Sequence, residues 1–303
     1  MMRTCLVTGG AGFIGCAISS TLVRHFDRVV ALDNMHPQIH ATPDRPARLD
    51  PKVELVVGDV TLSETWNSLL QTVKPDVVIH LAAETGTGQS LTEGTRHAMV
   101  NVVGTTQMLD AFVRFESVPR RIVLTSSRAV YGEGAWQDAA GTITYPGQRS
   151  KVQLEQGVWD FPGLKCLPFE ATRTQPRPTS IYGATKLTQE MVLSAWALSF
   201  GVEVGLLRLQ NVYGPGQSLS NPYTGIVSLF ARLARGGKSI PLYEDGEIVR
   251  DFVFIDDVSE AVTGIATAKK AGSGGDLRRG IRREDDNSSI GNANQRDLQR
   301  ARA

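Results

Sequence analysis

Short apolar runs alternate along the chain with longer stretches whose apolar positions recur at helical spacing. TCLVT (4–8), RVVAL (28–32), VELVV (53–57), DVVIHL (76–81), RIVLT (121–125) and VEVGLLRL (202–209) predict strands. The stretches 13–26, 62–73, 93–115 and 180–200 predict the helices between them. Strands that are apolar throughout are buried on both faces, which points to a parallel sheet covered by helices. Strict alternation of the two signals predicts an α/β fold with a doubly wound parallel sheet. The pattern breaks twice. Residues 133–178 scatter Gly, Pro and Trp without a period and read as a long loop or insertion. Residues 210–253 are irregular again, with YGPGQ and SNPYTG as turn signals, before a helix-like run at 256–268. The expected organisation is a main domain at 1–209 and a smaller, partial substrate-covering subdomain with a return helix at 210–271. The tail at 272–303 has no packed pattern.

Composition narrows the function. The 303 residues hold 41% hydrophobic positions, and 32 basic against 31 acidic residues leave a net charge of +1. That balance offers no electrostatic footprint to nucleic acid or to an anionic membrane. Cys5, Cys16 and Cys166 are too few for a disulfide framework and lack metal-ligand spacing. They read as reduced thiols of a cytoplasmic protein. The start MMRTCLVTGG has no signal-peptide pattern, and no apolar run nears the roughly 20 residues of a membrane helix.

Two motifs carry chemistry. CLVTGGAGFIG sets Gly9, Gly12 and Gly15 directly after the first strand and at the start of a helix. A tight turn, close backbone approach to a pyrophosphate and tight helix–strand packing each require glycine there. Asp33 ends the second strand 18 positions after Gly15. A carboxylate at that place accepts from ribose hydroxyls and repels a 2′-phosphate, so NAD is favoured over NADP. SIYGATK places Tyr182 and Lys186 four apart, on one helical face. An ordinary amphipathic face gives the same spacing. A phenol titrates near ~10, so it serves as a base only if neighbouring positive charge favours the phenolate. The Lys186 ammonium and the nicotinamide ring are the expected sources of that charge.

TGGAGFIG, LDN, GDV, HLAA, SSRAVYG, YGATK and RDFVFIDDV occur in that order. As a set they resemble the extended short-chain dehydrogenase/reductases of the NAD-dependent epimerase/dehydratase family, over residues 3 to about 271. The resemblance implies a Rossmann domain with Gly9, Gly12, Phe13, Ile14, Gly15, Asp33 and Asn34 on the cofactor. It puts Asp59 and Val60 beside the adenine. His80, Leu81, Ala82 and Ala83 would line the cofactor, and Asn101 would support the end of the fourth strand. Ser127 would hold the substrate hydroxyl that Tyr182 deprotonates, while Lys186 bonds the cofactor ribose. Asn211 and Arg250 would contact the substrate diphosphate. GTGQS after HLAA, with NVYGPGQSLSNPYTGI, resembles the branch holding bacterial dTDP-L-rhamnose 4-epimerases and puts Thr85, Gln89 and Ser90 near the sugar. That branch often carries paired cysteines in the insertion, but 133–178 holds only Cys166, so no metal site is expected.

The 4,6-dehydratases of this family carry an Asp-Glu pair after the serine. Arg128 and Ala129 stand here and cannot do that acid/base work. The resemblance therefore implies an NAD-dependent nucleotide-sugar 4-epimerase, an isomerase acting on a nucleoside diphosphate sugar. It also implies a homodimer formed through 93–115 and 180–200. A nucleotide-sugar reductase or dehydrogenase, and a non-catalytic NAD-binding protein, stay open beside it. Family members continue with a segment like FDVGSGEKTTI. Codons exist for the tail from Gly275 whose reading one nucleotide later gives AIFDVGSGEKTTILRLAMRISEIYSAPE, so the tail reads as the product of a single-nucleotide frameshift.

Overall fold

The structure is a computed structural model that describes residues 2–40, 42–218, 225–242 and 244–269. Strand β1 (Thr4–Thr8) is followed by α1 (Phe13–His25), β2 (Arg28–Asp33), β3 (Glu54–Val57), α2 (Ser63–Leu70) and β4 (Val77–His80). Then come α3 (Gly94–Ala98), α4 (Gly104–Arg114) and β5 (Arg121–Ser127). β1 and β4 are buried at every position, whereas β3 is exposed at both ends. The sheet order explains this. With β9 (Glu203–Leu209) at the far edge, β3-β2-β1-β4-β5-β9 are all parallel, so β1 and β4 lie in the middle and β3 at the other edge. The chain winds outward from β1 to β3 and then returns to β4 on the other side of β1. That reversal opens a crevice beyond the carboxyl ends of β1 and β4.

Between β5 and α6 (Ile181–Phe200) the long loop or insertion expected at 133–178 carries short elements of its own. Residues 133–178 hold β6 (Trp136–Gln137), β7 (Ile143–Thr144), α5 (Lys151–Glu155) and β8 (Lys165–Cys166). β6 is the central strand of a small antiparallel sheet, with Trp136 opposite both Thr144 and Cys166. Trp136 is buried, edge-on to Phe161 with ring centroids 5.0 Å apart. Strands of two residues are too short to show a period, which is why the pattern reads as a loop.

The chain then forms β9 (Glu203–Leu209), β10 (Asn211–Tyr213), α7 (Ile226–Arg235), β11 (Phe252–Phe254) and α8 (Ile255–Thr267). β10 and β11 pair in parallel outside the main sheet. Residues 219–224, which take in SNPYT of the SNPYTG segment, and 270–303, with the tail and its proposed change of frame, lie outside the described residues.

Helices cover both faces of the main sheet. Ile18 and Leu22 of α1 and Val258 and Val262 of α8 pack on one face. Trp66 of α2, Met108 and Phe112 of α4 and Leu193 of α6 pack on the other. Arg121, fully buried at the start of β5, ties these layers together. Its guanidinium pairs with Glu203 of β9 and donates to the Ile265 and Ala268 carbonyls at 2.8 and 2.7 Å, capping the end of α8. The expected single helix over 93–115 is interrupted by a π turn, Met99–Val103. The extra residue turns Asn101 inward, where it is fully buried.

One contact positions α6. Ser180 caps the helix by accepting from the Gly183 N–H at 3.0 Å. A Cβ at Gly183 would lie 2.4 Å from the Ala129 carbonyl oxygen, which belongs to the turn after β5. Only glycine allows this approach, and Tyr182 is its neighbour. Gly183→Ala is expected to cost about 1–3 kcal/mol as an overpacked contact. It is also expected to lower turnover by on the order of 100-fold through displacement of Tyr182. Thermal melts and kcat read the two effects, with cofactor affinity kept.

Candidate active site

The crevice is a cavity of about 940 Å³ at the carboxyl ends of the central strands. Its floor on one side is the turn from β1 into α1. Gly9 there has φ +66°, and a Cβ on it would lie 2.8 Å from the Ala82 backbone nitrogen. The glycine thus lets the β1 turn and the segment after β4 meet. Helix α1 begins at Gly12 with no side-chain cap and no acidic residue in its first turn. Its free N–H groups face the cavity and suit a pyrophosphate. Asp33, at the end of β2, accepts from the Ala11 N–H at 3.0 Å and the Met35 N–H at 2.9 Å. A dinucleotide fits this half: a carboxylate for ribose hydroxyls and an uncapped helix for phosphates.

The other half is built by β5 and α6. Ser127 ends β5, and its Oγ accepts from the Ala129 N–H at 3.2 Å. Ser127 and the Tyr182 phenol line the same part of the cavity. Burial raises the phenol above its ordinary value, while the Ser127 hydroxyl and the Arg128 guanidinium act the other way. Lys186 is almost fully buried, one helical turn beyond Tyr182. Burial pushes its ammonium down to about 7, against the pull of Glu190. Its Nζ donates to Gln189 Oε1. Beside the cations expected from the sequence, the Arg128 guanidinium also favours the phenolate.

A chain of buried polar groups supports Lys186. Gln189 Nε2 donates to Thr105 Oγ1 at 2.9 Å, and that hydroxyl donates to the Asn101 carbonyl at 2.7 Å. Thr105 has spent its proton, so the 3.0 Å contact with His80 requires His80 Nε2 to donate. His80 Nδ1 is then the acceptor for the Thr8 hydroxyl at 2.6 Å, and Thr8 Oγ1 accepts from the Ala82 N–H at 3.2 Å. Burial pushes His80 down to about 3, so the ring is neutral, as this arrangement needs.

Gly9, Gly12, Phe13, Ile14, Gly15, Asp33, Asn34, Val60, Leu81, Ala82, Ala83, Thr85, Ser127, Tyr182, Lys186 and Asn211 all line the cavity. Other expected residues do not line it, and each has another partner. Asp59 accepts from Asn34 Nδ2 at 3.2 Å and from the Thr61 N–H at 2.8 Å. His80 lies behind the wall, in the network above. Asn101 bonds both backbone groups of Glu84, at 2.8 and 3.0 Å, and the Thr185 hydroxyl at 3.0 Å, so it supports the segment after β4. Gln89 and Ser90 are buried, Gln89 against Gln38 and Glu93 and Ser90 on the Thr87 carbonyl. The exposed Arg250 donates to its neighbour's carbonyl, Val249 O, at 2.8 Å. The sequence reading missed the wall contributed by residues 36–48, including His36, His40, Arg45 and Arg48. A cluster of His and Arg directly after Asp33 was its only signal.

The site and the fold have known counterparts. The model of the NAD dependent epimerase/dehydratase family matches residues 5–161 and 162–278. A dTDP-L-rhamnose 4-epimerase of Burkholderia thailandensis is 64% identical over 257 residues, which are 85% of this chain and 71% of that protein. The structure of a UDP-glucose 4-epimerase from Thermus thermophilus in complex with NAD superposes with a TM-score of 0.68 at 29% identity, covering 88% of this chain and 76% of that one. That of a UDP-glucose 4-epimerase from Thermotoga maritima with UDP-glucose does so with a TM-score of 0.68 at 27% identity, over 86% and 72%. With its glycine turn, Asp33, Ser127, Tyr182 and Lys186 gathered at the crevice of a doubly wound sheet, the chain belongs to the NAD dependent epimerase/dehydratase family.

Proposed function

We propose that the chain is an NAD-dependent nucleotide-sugar 4-epimerase, with Tyr182 as its proton-transfer group. The observation that carries this reading is the gathering of Ser127, Tyr182 and Lys186 on the wall of the same cavity as Asp33 and the uncapped start of α1. NAD, when bound, supplies hydride acceptance and return at its nicotinamide ring. Asp33 and the N–H groups opening α1 would hold its ribose and phosphates, and Lys186 would face its second ribose. Tyr182 takes the proton of the sugar 4-hydroxyl and later returns a proton to the 4-keto oxygen presented from the other face. Ser127 holds that oxygen in both orientations. The sugar leaves with one inverted centre and no net change of oxidation state. Arg128 and Ala129 offer no acid/base pair for eliminating water, which separates this site from that of a dehydratase.

The 64% identical relative makes dTDP-linked 6-deoxyhexoses the first substrates to offer. Thr85 and Asn211 stand where the sugar and diphosphate would lie. A homodimer through α3, α4 and α6 is supported by exposed apolar side chains on those helices: Met191 and Leu198 on α6, and Val113 on α4. Cytoplasmic placement belongs to the same reading; no described helix is long and apolar enough to cross a membrane.

Tyr182→Phe is expected to lower epimerisation by about 10²–10⁴-fold while leaving NAD affinity within a few-fold. Chromatographic separation of the epimers measures it, and wild-type turnover should proceed without net consumption of NAD(H). A reductase would consume NAD(H) stoichiometrically, and full turnover by the variant would remove Tyr182 from the mechanism. Lys186 yields a second expectation. Its folded value of about 7 lies below its ordinary 10.5, so between these the unfolded chain binds the extra proton. Its contribution to the stability of the cofactor-free protein is least favourable below pH 7 and improves as pH rises from about 7 to about 10.5. Lys186→Met should therefore raise Tm more at pH 6 than at pH 9, as thermal melts will show.

A further inference from the structure

The epimerase reading leaves a cation beside the reacting residues without a task. Arg128 directly follows Ser127, in the single turn Arg128–Tyr131, and lines the cavity beside Tyr182. It is partly desolvated there, and its guanidinium is held below its ordinary value by burial and by the repulsion of Arg250. Among the described residues it forms no ion pair. The nearby Glu133 carboxylate is engaged by Arg149 at 3.3 Å. A guanidinium left unpaired on a cavity wall faces either an anionic ligand or a group that becomes anionic during reaction.

The neighbouring group that becomes anionic is the phenol. The side chains around Tyr182 that can carry charge come from α3, from α6 itself and from the turn after β5. His97 of α3 stands edge-on, with ring centroids 6.2 Å apart, and its Nδ1 is engaged by the Glu93 carbonyl at 3.0 Å. Lys186, on the same helix as Tyr182, is turned to Gln189. Arg128 comes from the turn after β5, with Glu133 and Arg250 behind it. Lys186 is only about half charged at pH 7 in the absence of cofactor, because burial pushes its ammonium down to about 7. A guanidinium keeps its charge at every working pH. We propose that Arg128 is a positioning cation for proton transfer: its guanidinium holds the negative charge that the Tyr182 phenol acquires and so sets the pH range in which the site works.

The proposal rests on the reading of Tyr182 as the proton-transfer group. It gives Arg128 no proton to move, since a guanidinium does not release one in this range. It also divides the work between two cations. Lys186 faces the cofactor side, and Arg128 faces the sugar side, next to the hydroxyl that Ser127 holds.

The test uses the NAD-loaded protein and the near-ultraviolet phenolate band. Titration of Tyr182 is isolated by subtracting the same protein carrying Tyr182→Phe. Arg128→Met is expected to move the Tyr182 midpoint upward by about one pH unit, which is about tenfold less phenolate at a pH below the midpoint. The acidic limb of kcat/KM should move with it, NAD affinity should be unchanged, and Arg128→Lys should restore most of the wild-type profile. Arg128→Gln is the second variant. It keeps a polar head without charge and should move the midpoint as the methionine does. An unmoved midpoint in whichever neutral variant retains NAD binding overturns the proposal. The two readings fail separately. A wild-type protein that epimerises no nucleotide sugar offered, yet shows the midpoint shift, refutes the epimerase function and leaves Arg128 acting on Tyr182. A wild-type epimerase with an unmoved midpoint does the reverse.

Discussion

Helix α6 can lie against the turn after β5 because residue 183 has no side chain. Its backbone comes so close to Ala129 that a methyl group would overlap the carbonyl oxygen at 2.4 Å. Everything on the reacting side of the cavity follows from that contact. Tyr182 precedes this glycine and meets Ser127, which ends the strand entering the turn. Arg128 lies between Ser127 and Ala129 and so faces the same phenol. One turn further along α6, Lys186 lines the same cavity, and Glu190 pairs with Arg208 of β9 at 2.7 Å. Arg208 in turn sits over the Tyr131 ring at 4.9 Å, so the far end of the same turn is held by α6 and β9 together. The glycine thus fixes a distance, and the ion pair and ring contact hold the helix at it.

The cavity wall behind Lys186 is polar, and it is satisfied. Thr8, His80, Thr105 and Gln189 link the first strand to the helix of the reacting residues through hydrogen bonds whose donors and acceptors can be assigned one by one. A neutral His80 is required, and burial supplies it. Such a chain is sensitive to the loss of any one member, because each remaining group would be left buried without a partner. It couples the glycine turn, through Thr8 and Ala82, to the position of Lys186, although the two are far apart in sequence. Asn101 does the same for the segment after β4 and for Thr185, and the π turn in the long helix is what brings its amide to the interior.

The sheet and the reacting pair were legible in the sequence because their signals are local. Six apolar runs, a glycine turn between the first strand and helix, an acid at the end of the second strand, and a Tyr and Lys four apart each announce a geometry over a few residues. What was not legible depends on distant partners. The two-residue strands β6, β7 and β8 exist only because they pair with one another around Trp136. Asp59, Asn101, Gln89 and Ser90 have residue types that suit ligand contact, yet their hydrogen bonds go to the backbone and side chains that shape the wall. No spacing rule separates a residue that touches a ligand from one that holds the residue that does. Arg128 shows the converse. Sequence alone marks it as the absence of an acid, and the folded chain shows it as an unpaired charge beside the reacting phenol.

The division between Lys186 and Arg128 has a physical logic. A buried ammonium that titrates near neutrality is a poor permanent counter-charge, but it bonds well to a neutral amide and to sugar hydroxyls. A guanidinium is the opposite: its charge is permanent, and its planar head tolerates a half-wet wall. In the proposed reading the titrating cation lies on the cofactor side, where its charge responds both to the phosphates and to the positive nicotinamide ring that a bound dinucleotide brings. Placing the permanent cation on the sugar side keeps the phenolate accessible whether or not the lysine is charged. The phenol is then governed by two cations of different character, and filling the cofactor side moves only one of them.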